Sequence, residues 1–364
     1  MGGFKLLSGD RPGHPILTLL IVGIVIGLAF APIVFPGTRS LDTAARIAII
    51  VALVASYDLL LGYTGIVSFA HTMFFGIGAY GVAIASTRMG PGWDAVALGV
   101  ACALLLSALL ALVIGLFSLR VKAIFFAMIT LAVAAAFQTL ASQLSEITGG
   151  EDGLSFRVPQ VLRPSFELFD GPVLGASIDG RVLTYYLLFL TVLLLFLALL
   201  RIVNSPFGRV LQAIRENDFR AEAIGYRTVV FRTVSNVLAA LFATVAGALL
   251  AIWLRYNGPD TSLSFEIMLD TLLIVVIGGM GTMYGAVIGS AFFVLAQSYL
   301  QDLMRLVSEA FSALPLAAAM FSPDRWLLWL GLLFVLSVYH FPTGVVGRLR
   351  ARALPTTAAR VVRR

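Results

Sequence analysis

Residues 181–201 read RVLTYYLLFLTVLLLFLALLR, and between the two flanking arginines lie 19 residues without a charge. About 20 apolar residues cross a hydrocarbon core of roughly 30 Å. A helix that is apolar on every side, with no polar face to offer water, belongs in a membrane or a large buried core. Working outward from this run, comparable apolar stretches stand at 16 to 35, 43 to 61, 67 to 87, 95 to 117, 123 to 144, 183 to 202, 231 to 254, 266 to 284, 286 to 303 and 326 to 341. Over all 364 residues 60% are hydrophobic and 12% charged, against about 25% charged in a typical soluble domain. Lipid is therefore the solvent. The expected fold is all-α: a polytopic membrane protein of about ten transmembrane helices, with residues 1–342 forming one membrane domain and 343–364 a basic cytoplasmic tail.

The first run follows Lys5 and Arg11 and contains Ala29-Phe30-Ala31, a pattern similar to a signal-peptide cleavage site. Its length and the obstructing Pro32 favour a retained first helix. The one cysteine, Cys102, excludes a disulfide framework and a thiolate metal site, and its apolar surroundings suggest a small buried packing residue. The net charge of +6 comes almost wholly from arginines between runs and at the C-terminus, which fits membrane orientation rather than nucleic acid. With the N-terminus inside, Arg120, Lys122, the segment 201 to 232 (six arginines, three acids) and the tail (six arginines, no acid) face the cytoplasm. The segment 145 to 182, with six acids against three arginines, then faces out. Both termini are expected to be cytoplasmic.

Clustered glycine interrupts the apolar pattern twice, at Gly62-Tyr63-Thr64-Gly65 with Gly76 and Gly78 following, and at Gly278-Gly279-Met280-Gly281 with Gly285 and Gly289 following. Non-helical backbone at membrane depth survives only where protein or a watery cavity satisfies it, so Gly-broken helices near a permeation path are one reading. Close helix packing through small residues is the other. The substrate-pathway candidates are Asp58, Gly62, Tyr63, Thr64, Gly65, Ser68, His71, Gly76, Gly78, Gly278, Gly279 and Gly281. An ionisable group within a span is a functional candidate, which singles out Asp58, His71, Asp270 and Glu266. For His71 the plainer alternative is a neutral imidazole bonded to a backbone carbonyl of the broken helix, and Asp58 and Glu266 have the alternative of snorkelling to an interface. Asp270 calls for a partner that the sequence does not identify.

No GxxxxGK[ST] is present, since Lys5 and Lys122 are the only lysines and neither is so placed. His14, His71 and His340 lie far apart and form no HExxH or His/Cys cluster, so neither a resident metal nor any other cofactor is expected. A GxSxG elbow is absent too. These exclusions point away from an enzyme and assign any ATP to partner subunits. The segment 203–230 is the most structured loop. Ser205-Pro206 is a helix start with a serine cap and proline at the first helical position. Phe207, Val210, Leu211 and Ile214 give an apolar stripe, and Asn217 caps a second short helix that Gly225 ends. Such a loop is a docking surface, or an interfacial helix on anionic lipid.

Four ordered blocks resemble the branched-chain amino acid permease family of ABC importers, in the half that pairs with a second, related permease. They are Gly62 to His71 with Phe75 to Tyr80, Thr148 to Leu154, Gly208-Arg209 through Arg215-Glu216-Asn217 to Glu222-Ala223-Ile224-Gly225, and Ile277 to Gly285. The resemblance implies a second permease subunit as heterodimer partner, two ABC ATPase subunits, a periplasmic solute-binding protein and a lipid setting. It makes Gly208, Arg209, Arg215, Glu216, Asn217, Glu222, Ala223 and Gly225 the ATPase-coupling residues. Compared with the family, Asp58 replaces a neutral polar residue, Asp270 an apolar one, and 302 to 325 is a longer outer loop. Related members take urea, short amides or aromatic acids, and a stand-alone ion-coupled transporter using Asp58 or Asp270 is the competing class.

Overall fold

The computed structural model describes residues 15–34, 37–118, 123–167, 179–310, 320–340 and 344–353. Lys5, Arg11, His14, Arg120, Lys122, Asp170 and the tail beyond 353 lie outside the described residues. The principal helices are α1 (Pro15–Ala29), α2 (Thr38–Asp58), α3 (His71–Met89), α4 (Trp93–Ser118), α5 (Ala123–Gln143), α6 (Gly180–Val203), α7 (Pro206–Glu216), α8 (Asp218–Ala223), α9 (Thr228–Leu254), α10 (Phe265–Gly278), α11 (Met283–Ala310), α12 (Trp326–His340) and α13 (Gly344–Ala353). Helix α2 runs on as a π-helical turn over Leu59–Thr64. The described strands, β1 (Leu154–Ser155) and β2 (Tyr256–Asn257), form one short antiparallel ribbon pairing Leu154 with Asn257.

Seven of the described helical segments are long and apolar enough to cross a membrane: Thr38–Thr64, Trp93–Leu116, Ile124–Gln143, Gly180–Val203, Thr228–Leu254, Pro259–Gly278 and Met283–Ala310. All seven coincide with expected runs. The described residues of the other three runs are largely helical as well, but α1 and α12 each have 15 residues, and the apolar pattern of α3 is interrupted by glycine and hydroxyl side chains. The chain is thus an all-α, multi-pass membrane protein.

At the centre, α9 packs against α3, α4 and α2, and α2 is flanked by α6 and α11. Contact between α3 and α9 is made backbone to backbone. A Cβ on Gly78 would overlap the Thr244 carbonyl, and one on Gly247 would overlap that of Phe75. Gly81 and Gly99 meet in the same way where α3 crosses α4. Small residues let two helices approach this closely, and dispersion then replaces the missing hydrophobic drive between helices in lipid.

Helix α9 defines the two ends of the bundle, about 40 Å apart at 1.5 Å per residue. Its N-terminus lies beside α7 and α8, while its C-terminus leads into β2. At the β-ribbon end Asp42, near the start of α2, accepts from Arg181 at 2.7 Å and from the Trp253 indole at 3.2 Å. Consequently α2 runs antiparallel to α9, and residues 58–65 lie at the α7 end.

Two expectations change. Cys102 is exposed, not buried, because α4 turns most of its apolar surface outward to where lipid belongs. The expected outer loop from 302 is helical to Ala310, since Asp302 pairs with Arg39 at 2.7 Å and Arg305 with Glu309 at 4.0 Å. Charged side chains there decorate a helix that outlasts its apolar run.

Candidate functional site

The two glycine breaks meet. Asp58, at the last α-helical position of α2, is 1% exposed, and its Oδ1 accepts the Gly281 N–H at 2.9 Å across 223 residues of sequence. Its Oδ2 is buried without a completed hydrogen bond. One turn on, the Gly62 carbonyl accepts from the Arg215 guanidinium of α7. Helix α7 therefore reaches into the junction of α2 with the α10–α11 turn. A Cβ at Gly62 would overlap the Asp58 carboxylate and the Gly281 nitrogen, and one at Gly281 would stand 2.7 Å from Arg215 Nη1. Glycine is required here by close approach. Gly65, with φ +74°, turns the chain out of the π-helical segment, and a side chain there would press on the Arg215 stem at 3.0 Å.

The open backbone of the first break is largely satisfied by protein. The Ile66 N–H returns to the Leu60 carbonyl at 3.0 Å, and the Phe69 N–H donates to Thr130 Oγ1 at 3.1 Å. Thr64 Oγ1 donates to Leu59 at 2.8 Å and lies 2.9 Å from Ser235 Oγ, pinning the break to α9. Ser68 and Tyr63 are buried. His71 is fully buried, with Nε2 2.8 Å from Ser56 Oγ, whose own proton goes to the Leu53 carbonyl at 2.7 Å. That spent proton assigns the hydrogen to Nε2 and makes the imidazole a donor. The ring joins α3 to α2 through a hydroxyl rather than directly through a carbonyl.

In the second break the Gly279 N–H still bonds the Val275 carbonyl at 2.9 Å, and Thr282 Oγ1 caps the Gly279 carbonyl at 2.6 Å. Gly278 lies against the Gly285 backbone and Gly279 against Gly344. Gly76 is backed by Leu263, and Gly78 by Thr244 as above, so both belong to helix contacts remote from the Asp58 junction. Asp270 and Glu266 are also elsewhere, in a cavity with Arg46 and Asp260 nearer the ribbon end. Arg46 is absent from the sequence-based candidates although it falls inside the expected span 43 to 61; a cation at membrane depth is the signal that marks it.

The loop between α6 and α9 folds as its capping residues require. Ser205 Oγ accepts from Gly208 N at 3.4 Å, and Asn217 Oδ1 accepts from Arg220 N at 2.9 Å. Leu211 and Ile214 are buried on the bundle, which places the stripe inward. Gly208 fits against the Val203 backbone, and Gly225 ends α8 with φ +98°. Glu222 accepts from Thr228 Oγ1 at 2.5 Å, tying α8 to the start of α9. Arg209, Glu216 and Ala223 are exposed, as are Phe219 at 79% and Ile224 at 68%. A polar pocket of about 450 Å³ opens here between Gly62, Tyr63, Gln212, Arg215, Glu216 and Gly281.

A family model described as "Branched-chain amino acid transport system / permease component" matches residues 39–337. The high-affinity branched-chain amino acid transport system permease protein LivM of Salmonella typhimurium is 27% identical over 301 residues, covering 78% of this chain and 68% of the relative. Its Escherichia coli counterpart is 26% identical, covering 82% and 74%. A probable branched-chain amino acid transport permease protein LivM of Methanocaldococcus jannaschii is 25% identical, covering 67% of each chain. No solved structure matches significantly. The family match runs through α2 to α12 and takes in both glycine breaks, Arg215 and the α7–α8 loop, so the chain belongs to the family of branched-chain amino acid transport permease components.

Proposed function

We propose that the chain is one of two related permease subunits of an ATP-driven importer in a bacterial inner membrane. It passes on branched-chain or related amino acids delivered by a periplasmic binding protein. The observation that carries this reading is the reach of Arg215. Helix α7 stands outside the bundle with exposed apolar side chains beside it, yet its arginine holds the Gly62 carbonyl next to the Asp58–Gly281 bond. Anything that moves α7 therefore acts on both glycine breaks at once. Two ATPase subunits docking on 203–230 supply such a movement, and exposed Phe219 and Ile224 are the kind of apolar anchors a docking groove accepts. In this arrangement 145–182 faces the periplasm and the segment from 343 is a cytoplasmic tail. The chain itself transfers no bond; the ATP chemistry belongs to the partners.

Proteoliposomes test the proposal. Complexes of this chain with a second permease and two ATPases, given a loaded binding protein, are expected to accumulate leucine only with ATP inside the docking compartment. Uptake by this chain alone, driven by a proton or sodium gradient, would overturn it.

A further inference from the structure

In the ribbon-end half of the bundle, α2, α10 and α11 line an open cavity of about 380 Å³, within the roughly 300–1,000 Å³ of small-molecule sites. Its polar wall holds Arg46, Asp260, Glu266, Asp270 and Gln297, and its apolar wall includes Phe75, Ile274 and Phe293. Arg46 lies eight residues into α2, about 12 Å from the helix start at 1.5 Å per residue, and Asp270 lies five residues into α10. Charges within an apolar helical segment are retained at a cost and normally pair with one another. Here they do not pair, and Arg46 and Glu266 stay exposed to the open cavity. Among the described residues no acid comes within 4.0 Å of the Arg46 guanidinium, although three carboxylates share its cavity. Asp260 is engaged by Gln138 at 3.5 Å, which leaves Glu266 and Asp270 as the acids of the cavity that no side chain holds.

Unpaired charges of opposite sign beside an apolar wall are complementary to one chemical class. We propose that this cavity holds the solute in transit, a zwitterionic α-amino acid with an apolar side chain. Arg46 takes its carboxylate, Glu266 and Asp270 take its ammonium, and Phe75, Ile274 and Phe293 receive the side chain. The guanidinium fork suits a carboxylate, and the paired acids suit a compact ammonium. An anionic dicarboxylate meets repulsion from the acids, and a neutral amide leaves Arg46 unsatisfied. The inference rests on the permease reading but adds a site and a selectivity to it.

The test is binding of radiolabelled leucine to the whole detergent-solubilised complex, without binding protein, competed by leucinamide (no carboxylate) and by 4-methylpentanoate (no ammonium). The wild type is expected to prefer leucine over both by about tenfold or more, the loss that accompanies one charge-assisted hydrogen bond. Arg46→Gln is expected to abolish the preference over leucinamide while keeping that over 4-methylpentanoate. Glu266→Gln with Asp270→Asn should do the reverse, and Arg46→Lys should restore part of the first. Variants that assemble and keep both preferences would overturn the site. A wild-type complex that takes up amino acids with ATP but shows unchanged uptake in all these variants would refute the cavity and spare the permease role, whereas a wild type that takes up none would refute both.

Discussion

Replacing Arg215 by alanine removes the contact that joins α7 to both glycine breaks. Two terms set its size. The Gly62 carbonyl sits on a buried residue, and leaving such an acceptor unpaired costs about 1–3 kcal/mol. Arg215 is also a cation that attracts the Asp58 carboxylate, but it is exposed, so solvent screening limits that attraction to about 1 kcal/mol or less. Together they span about 1–4 kcal/mol, with the middle of the range at about 2–3. A contact can bias a two-state equilibrium by no more than its own differential free energy, here a factor of roughly 30 to 150. Arg215→Ala should therefore insert and assemble normally, yet lower leucine taken up per ATP hydrolysed by about tenfold or more, within that limit. Arg215→Lys, a point charge that still donates to one carbonyl, should fall between. Because Asp58 loses its cation in Arg215→Ala, adding Asp58→Asn should recover part of the loss, since an amide oxygen still accepts from Gly281. The assay is paired measurement of uptake and solute-stimulated hydrolysis in proteoliposomes holding all subunits. Wild-type coupling in Arg215→Ala, or strictly additive losses in the double variant, would refute the reasoning.

The α3–α9 contact should behave differently from the breaks. Gly78→Ala places a methyl against the Thr244 backbone and should cost about 1–3 kcal/mol by overpacking, whereas Gly23→Ala, with nothing within 4 Å, should be neutral; thermal stability of the purified protein in detergent distinguishes them. Phe219→Ala removes an anchor that is 79% exposed and should weaken ATPase co-purification by about tenfold if Phe219 is a docking hot spot; unchanged recovery would move the interface elsewhere. In a Cys102→Ser background, needed because Cys102 is itself exposed, an impermeant thiol reagent should label Asp152→Cys in intact cells and Phe219→Cys only after permeabilisation, and the opposite pattern would invert the orientation.

The fold was legible where the signal is local. An uncharged run between Arg181 and Arg201 is a span whatever it packs against, and Ser205-Pro206 starts α7 because the cap and the fixed proline φ act within one turn. The end of α11 was not legible, because a helix continues past its apolar run when its charges find partners, as Asp302 does in Arg39. Cys102 was misread for a related reason. Apolar surroundings in a soluble protein imply burial, but in a membrane span they describe the lipid-facing side equally well.

The candidate site was legible only as pieces. Asp58 lies 223 residues from Gly281, and Gly62 lies 153 from Arg215, separations over which sequence periodicity carries no information. Glycine compounded the difficulty, because a missing Cβ serves two purposes that the sequence writes identically. At Gly78 it admits a neighbouring backbone, while at Gly62 it admits a carboxylate and a peptide N–H from another break. Only the opposing atoms tell the two apart. A backbone on both sides makes a fixed seam, since separating it forfeits dispersion with nothing gained. A carboxylate bridging one N–H, beside a carbonyl held by an arginine from outside the bundle, is a bond between parts that can separate, since water replaces each partner once the junction opens. On that physical ground the Asp58–Gly281–Arg215 junction is the contact expected to part under load, and the α3–α9 seam the one expected to hold.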